Sequence, residues 1–136
     1  MSTAKVVTVV HPSATVNNIV NDASGNVAVG NNLTVAGYGA FSIPVTVNAG
    51  TYTVAATDSS LIFTTTNNTL TLPAAASYSG RFLHIKNITA NSVTSASSNV
   101  VPIGSATAGT AVLAATAGKF ATLQSDGTNW VTMAAN

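Results

Sequence analysis

Hydrophobic side chains recur at every second position in several short segments of this chain, and clusters of Gly, Asn, Ser and Pro separate the segments. Ile43, Val45 and Val47 form one such series, and Leu83 and Ile85 alternate with polar neighbours in another. A period of two is the pattern of a β-strand that buries one face. Short runs of this kind, with turn signals about every 8 to 12 residues, are typical of sandwiches and barrels. The sequence therefore predicts an all-β fold with an antiparallel β-sandwich or barrel-like domain.

The amino-acid composition favours the same fold class. Thr and Val are strand formers, whereas Asn, Gly and Ser favour turns. Charged residues make up 5% of the chain and glutamate is absent, whereas ordinary globular domains contain about 25% charged residues. The strong helix formers Glu, Lys, Arg, Gln and Met are all scarce in this chain, which disfavours helices. There is no cysteine, so disulfides and thiolate metal sites are excluded.

The weak charge of the chain restricts its partners. The formal net charge is +1 and 46% of the residues are hydrophobic. The electrostatic field of so small a net charge is too weak for nucleic-acid binding or for electrostatic attachment to a membrane. No apolar run is long enough to cross a bilayer. Because interface centres contain few charged residues, we expect self-association to cover much of the surface. A monomer kept soluble by its Thr and Asn side chains is the alternative.

The chain is expected to have two parts. Residues 1–40 contain too few large apolar residues for a core of their own, and they predict an extended N-terminal β arm. Residues 41–136 predict the β-sandwich-like domain. The N-terminus lacks the apolar segment of a signal peptide, which predicts synthesis in the cytoplasm. The arm residues predicted to contact sister chains or an attachment partner are Val7, Val9, Val27, Val29, Leu33, Val35 and Tyr38.

Several segments between Thr51 and Met133 resemble a module of bacteriophage virion proteins. They are "TDSSLIF", "TLTLP" with the small-residue loop after it, "SGRFLHIKN" and "SDGTNW". The upstream stretch "VGNNLTVAGYGAF" is similar to segments that precede such modules in phage fibres. Proteins of this kind are tail fibres, tail spikes, head fibres and decoration proteins. The resemblance implies a trimeric β-structure on the surface of a virion, made in the host bacterial cytoplasm.

The expected function is therefore that of a non-enzymatic virion structural protein, a homotrimeric head fibre or capsid decoration protein. The arm would attach it to the capsid or to other virion proteins. The short chain, beginning at Met1, favours such an accessory protein or a small tip over a full tail fibre. Two alternatives remain open: a tail-fibre tip or carbohydrate-binding receptor protein that contacts a host surface glycan, and a bacterial adhesin repeat.

The sequence predicts no catalytic, cofactor or metal site. The two histidines, His11 and His84, lie in different segments and no two of the three acids are close in sequence. Catalytic and metal sites need such groups to converge. Asp58 and Asp126 are instead expected to accept backbone N–H groups in turns.

Trp130 follows the predicted hairpin turn Asp126-Gly127. The favoured interpretation is that the tryptophan anchors the hairpin to the core and that its N–H finds a buried partner. The alternative is an exposed ring that contacts a receptor, and Tyr78 is a second candidate for such a contact.

Overall fold

The structure is a computed structural model, and it describes residues 19–21, 27–29, 42–66 and 68–136. The chain divides into two units, Met1–Gly39 and Ala40–Asn136. The first unit contains strands β1 (Ile19–Asn21) and β2 (Val27–Val29), which pair antiparallel with Asn21 opposite Val27.

The predicted contact residues of the arm are only partly within the described residues. Val27 and Val29 lie on β2, and the Val27 side chain is exposed. The remaining five lie outside the described residues, so their predicted role stays a prediction; these are Val7, Val9, Leu33, Val35 and Tyr38.

The regular secondary structure in the described part of the second unit is almost entirely β-strand, which confirms the all-β prediction. A single 3-10 turn, Ala75–Tyr78, lies where the sequence predicts a loop or one helical turn. Within the described ranges, no helix is long and apolar enough to cross a membrane. The strands are β3 (Val45–Val47), β4 (Thr51–Thr53), β5 (Ser60–Phe63), β6 (Asn68–Thr71), β7 (Phe82–Asn87), β8 (Val93–Ser95), β9 (Val100–Val101), β10 (Ala111–Leu113), β11 (Phe120–Ser125) and β12 (Trp130–Ala135).

These strands form a six-stranded sheet, in the order β3-β5-β7-β11-β12-β9, and a four-stranded sheet, in the order β10-β8-β6-β4. From β3 to β8 the chain alternates between the two sheets. Consecutive strands of one sheet are therefore parallel, with Val45 opposite Leu61 and Leu61 opposite Ile85. β11 pairs antiparallel with β7 and β12, and β10 pairs antiparallel with β8.

The prediction of an antiparallel sandwich was wrong in strand direction, because both sheets are mixed. Side chains alternate between the two faces in parallel and antiparallel strands alike. The alternating sequence pattern therefore does not distinguish them. A parallel neighbour needs a crossover connection, and here the crossover passes through the opposite sheet.

The inner faces of the two sheets share one hydrophobic core. β7 shows how it is built: Leu83 and Ile85 are buried, whereas Phe82, His84 and Lys86 are exposed. Burial of one large aliphatic side chain stabilises a fold by about 1.5–3 kcal/mol. The largest fully buried apolar residues come from both sheets and are Trp130, Phe63, Leu61, Leu70, Leu83, Ile85 and Leu123.

The closing hairpin of β11 and β12 is confirmed. Ser125 lies opposite Trp130, and the Asp126 N–H donates to the Asn129 carbonyl at 3.1 Å. Gly127 has a φ of 90°, a left-handed conformation that glycine adopts most easily. The predicted turn at Asp126-Gly127 therefore exists and sets the register of the hairpin.

Candidate functional site

The outer face of the six-stranded sheet carries the polar and aromatic side chains that the core excludes. His84 on β7 lies opposite Ser60 on β5 and Thr122 on β11. In the next row of the same face, Lys86 lies opposite Ile62 and Phe120. Three strands from distant parts of the chain thus place two rows of side chains next to each other.

A hollow of about 240 Å³ opens on this face. Pro44, in the segment before β3, contributes to its wall. Phe120 is partly exposed there, with 39% of its surface accessible, so a flat aromatic ring is available beside polar groups. The central strands β5, β7 and β11 each contribute two outward-facing side chains to the lining of the hollow: Ser60, Ile62, His84, Lys86, Phe120 and Thr122.

Hydrogen bonds hold the two basic side chains of the hollow in place. The His84 Nδ1 and the Thr122 Oγ1 lie 3.1 Å apart, a hydrogen bond whose direction depends on the tautomer. The Lys86 Nζ donates to the Gly118 carbonyl at 2.6 Å and lies 5.8 Å from the centroid of the Phe120 ring. The ammonium group therefore lies over the aromatic ring, and among the described residues the His84 Nε2 and the other Lys86 protons have no hydrogen-bond partner.

A second polar cluster, around Asp58, has a structural role. Asp58 is buried, and its Oδ2 accepts hydrogen bonds from the Tyr52 hydroxyl and the Ala55 N–H, each at 2.8 Å. Burial, followed by the hydrogen bond and the charge of Asp58, raises the pKa of the Tyr52 phenol. Arg81 donates to the carbonyls of Ala55 and Asp58 at 2.7 and 2.5 Å. The loop after β4 is thus tied to the start of β7, in agreement with the turn role predicted for Asp58.

The two aromatic residues considered for a receptor contact do not line the hollow. Trp130 is fully buried, and its Nε1 donates to the Pro73 carbonyl at 2.9 Å. This burial agrees with the core-anchor interpretation and not with an exposed receptor contact. Tyr78 is half-buried, and the Arg81 guanidinium lies 4.8 Å above its ring.

The remaining acid of the second unit, Asp126, also has a structural role. Its Oδ1 accepts the N–H groups of Thr128 and Asn129 at 2.7 and 2.6 Å. Across the described ranges, no three His, Cys, Asp or Glu side chains are grouped so as to hold a metal ion. His11 lies outside the described residues.

The sequence interpretation missed the hollow. It placed His84 and Lys86 on one strand but gave them no binding role, and it did not single out Phe120. The alternation of β7 puts both basic residues on one face, which was the available signal. Phe120 and Ser60 reach that face only through the pairing of β7 with β11 and β5.

No protein-family model, curated protein or solved structure matches the chain.

Proposed function

We propose that this protein is a non-enzymatic structural protein of a bacteriophage virion, acting as a homotrimeric head fibre or capsid decoration protein on the particle surface. The resemblance of the sequence segments supports the virion location. The observation that carries the proposal of self-association is an uncharged, largely apolar row on the outer face of the six-stranded sheet.

The apolar members of the uncharged row are Phe82, Val131 and Val101, on strands β7, β12 and β9; Phe82 is exposed and both valines are partly buried. Gln124, on β11, lies between Phe82 and Val131 in the same register. The Phe82 side chain is 48% exposed. The row carries no charge, and centres of protein interfaces are likewise depleted of charged residues. Contact with a sister chain would remove this apolar surface from water.

The charged side chains of the second unit leave the row uninterrupted. The Asp58 carboxylate accepts the Ala55 N–H in its own loop, Arg81 donates to the Asp58 carbonyl of that loop, and Asp126 accepts N–H groups of its own turn. Lys86 is held by the Gly118 carbonyl in the hollow. None of these four side chains stands in the row, so contact across the row itself would place no charge at the centre of an interface, where an unpaired charge is costly.

In this proposal the first unit supplies attachment. Its predicted contacts are the seven arm residues named above, which would pair with sister chains or with the capsid through backbone hydrogen bonds. The second unit would project from the particle surface.

Light scattering tests the self-association. The full chain should have three times the 13.5 kDa mass of one chain. Phe82→Ser should shift the distribution toward smaller species, whereas Ile43→Ser, an exposed apolar residue before β3, at the sheet edge opposite β9, should leave it unchanged. A monodisperse monomer would contradict the proposal.

Rebinding to capsids stripped of accessory proteins tests the attachment. The full chain should bind saturably, and deletion of residues 1–40 should abolish binding while circular dichroism still shows a folded β-domain. Retained binding by the truncated chain would refute the attachment role of the first unit.

The hollow favours a second candidate function, that of a tail-fibre tip or receptor-binding protein that mediates host adhesion. An exposed aromatic ring beside hydroxyl, imidazole and ammonium groups is suited to a host surface glycan. Saturable binding to host cells, with no rebinding to stripped capsids, would favour this candidate over the first.

A further inference from the structure

We infer that the hollow on the six-stranded sheet binds a carboxylated sugar, that is, a six-membered sugar ring of the uronic type. Phe120 would stack against the ring, Lys86 would pair with the carboxylate, and His84 and Ser60 would bind hydroxyl groups. This inference goes beyond the structural role in the virion and holds for a monomer or a trimer in which the hollow is open.

The size of the hollow suits one sugar ring. Its volume of about 240 Å³ is below the roughly 300–1,000 Å³ of sites for drug-sized ligands. Phe120 offers an aromatic face at its wall and Ile62 lies in the same row of the sheet. The C–H face of a pyranose is apolar and flat, so it can cover such a ring and remove it from water.

The positive charge of Lys86 in the hollow favours a negatively charged substituent on the sugar ring. An ammonium group has three donors, and the Gly118 carbonyl accepts only one of those of Lys86. The Nζ lies over the Phe120 ring, 5.8 Å from its centroid, so a sugar that stacks on the part of the ring left free would bring a substituent at its edge within reach of the ammonium group. The described lining residues include no carboxylate, so a ligand carboxylate would meet a complementary charge and form a charge-assisted hydrogen bond.

The remaining polar groups suit sugar hydroxyls. The hydrogen bond between His84 Nδ1 and Thr122 Oγ1 orients the imidazole and leaves its Nε2 for a ligand hydroxyl, as donor or acceptor according to the tautomer. Ser60 lies opposite His84 on the neighbouring strand. Its hydroxyl can donate and accept, as sugar hydroxyls require.

The backbone of the hollow argues against a phosphate ligand. Phosphate sites commonly use several free backbone N–H groups in addition to side chains. β5, β7 and β11 each have a paired strand on both sides, so their N–H groups are used within the sheet. The hollow therefore offers side-chain donors and one fixed ammonium group, which suits a singly charged carboxylate.

Titration by ¹⁵N–¹H NMR tests the inference with two probes, sodium glucuronate and glucose, at equal ionic strength. These sugars differ only at C6, where glucuronate has a carboxylate and glucose a hydroxymethyl group. Glucuronate should give saturable shifts at the amides of His84, Lys86 and Phe120. Glucose should bind at least about tenfold more weakly, the loss expected for one charge-assisted hydrogen bond.

Three variants refine the test. Lys86→Gln should weaken glucuronate binding about tenfold and leave glucose binding unchanged. Phe120→Leu, which keeps an apolar side chain but removes the aromatic face, should weaken both. Lys119→Gln removes the same charge from a neighbouring residue outside the lining, and it should bind both sugars as the wild type does.

Four results would overturn the inference: no saturable shift at the hollow, equal affinity for both sugars, unchanged glucuronate binding by Lys86→Gln, or displacement of glucuronate by inorganic phosphate. Light scattering on the same samples separates this inference from the proposed trimer. A trimer that binds no glucuronate overturns the sugar site alone, and a monomer that binds it overturns the trimer alone.

Discussion

The indole N–H of Trp130 donates a hydrogen bond to the carbonyl of Pro73 at 2.9 Å, across 57 residues of sequence. Trp130 begins β12 of the six-stranded sheet, whereas Pro73 follows β6 of the four-stranded sheet. One buried side chain therefore joins the closing hairpin to the segment that leaves the opposite sheet. It combines a large buried apolar surface with a buried hydrogen bond.

Trp130→Phe should lower the free energy of unfolding by about 2 kcal/mol, because it removes ring volume from the core and leaves the Pro73 carbonyl unpaired. Urea denaturation followed by circular dichroism measures the change. Met133→Leu alters an exposed residue of the same strand and should change it by no more than about 0.5 kcal/mol. Equal effects of the two substitutions would contradict the anchoring role.

Tyr52 should make stability fall at alkaline pH. Its folded-state pKa is raised, first by burial and then by Asp58, so the protonated phenol is the stabilised form. This contribution is complete below the unfolded pKa of about 10 and is lost as the pH rises through the higher folded value. Thermal midpoints from about pH 8 to about pH 11 should therefore fall less in Tyr52→Phe than in the wild type. Parallel profiles would show that the folded structure does not raise the pKa of the phenol.

Asp126 should make stability fall at acid pH. Hydrogen bonds from the Asn129 and Thr128 N–H groups lower its pKa, so the ionised carboxylate is the stabilised form. This contribution is present above the unfolded pKa of about 3.9 and is lost as the pH falls through the lower folded value. Asp126→Asn keeps an acceptor oxygen but does not titrate. Its thermal midpoint should therefore fall less than that of the wild type between about pH 6 and about pH 2, and an equal fall would count against the prediction.

Gly127→Ala should destabilise the closing hairpin by about 1–2 kcal/mol, the cost of a left-handed conformation for a residue with a Cβ. The added Cβ would lie 3.4 Å from the Ser79 Oγ, which is an ordinary contact, so backbone strain is the expected cause. Gly109→Ala is the matched control, because its φ is not positive and no atom lies within 4 Å of the added Cβ. The urea midpoint of Gly127→Ala should be lower than that of Gly109→Ala. Similar midpoints would refute the explanation by backbone strain.

Substitution by leucine should change the free energy of unfolding in opposite directions at two buried asparagines. The Asn87 Oδ1 accepts hydrogen bonds from the Thr89 N–H and hydroxyl, and the Asn87 Nδ2 donates one to the Asn91 carbonyl. Asn87→Leu should therefore cost about 2–3 kcal/mol by leaving those groups unpaired. Asn68 is equally buried, but within the described residues its amide has no hydrogen-bond partner. Asn68→Leu should preserve or raise the unfolding free energy, and a loss as large as that of Asn87→Leu would contradict this account.

The local features of the second unit were predictable from the sequence. The alternation of residues 82–87 identified the buried face of β7, and Asp126-Gly127 identified the hairpin turn. Pro44 lacks the N–H that a central strand would use, which favours an edge position, and β3, which follows it directly, lies at the edge of the six-stranded sheet. These signals succeed because side-chain period and turn geometry depend on neighbouring residues only.

The sequence by itself determined which residues form strands, which of their faces are apolar and how poor the surface is in charge. Only the tertiary structure decided that strands of one sheet run parallel through crossovers in the other, and that Ser60, His84 and Phe120 border one hollow. The reason is that strand pairing depends on which distant inner faces bury each other, and a period of two is the same for every candidate partner.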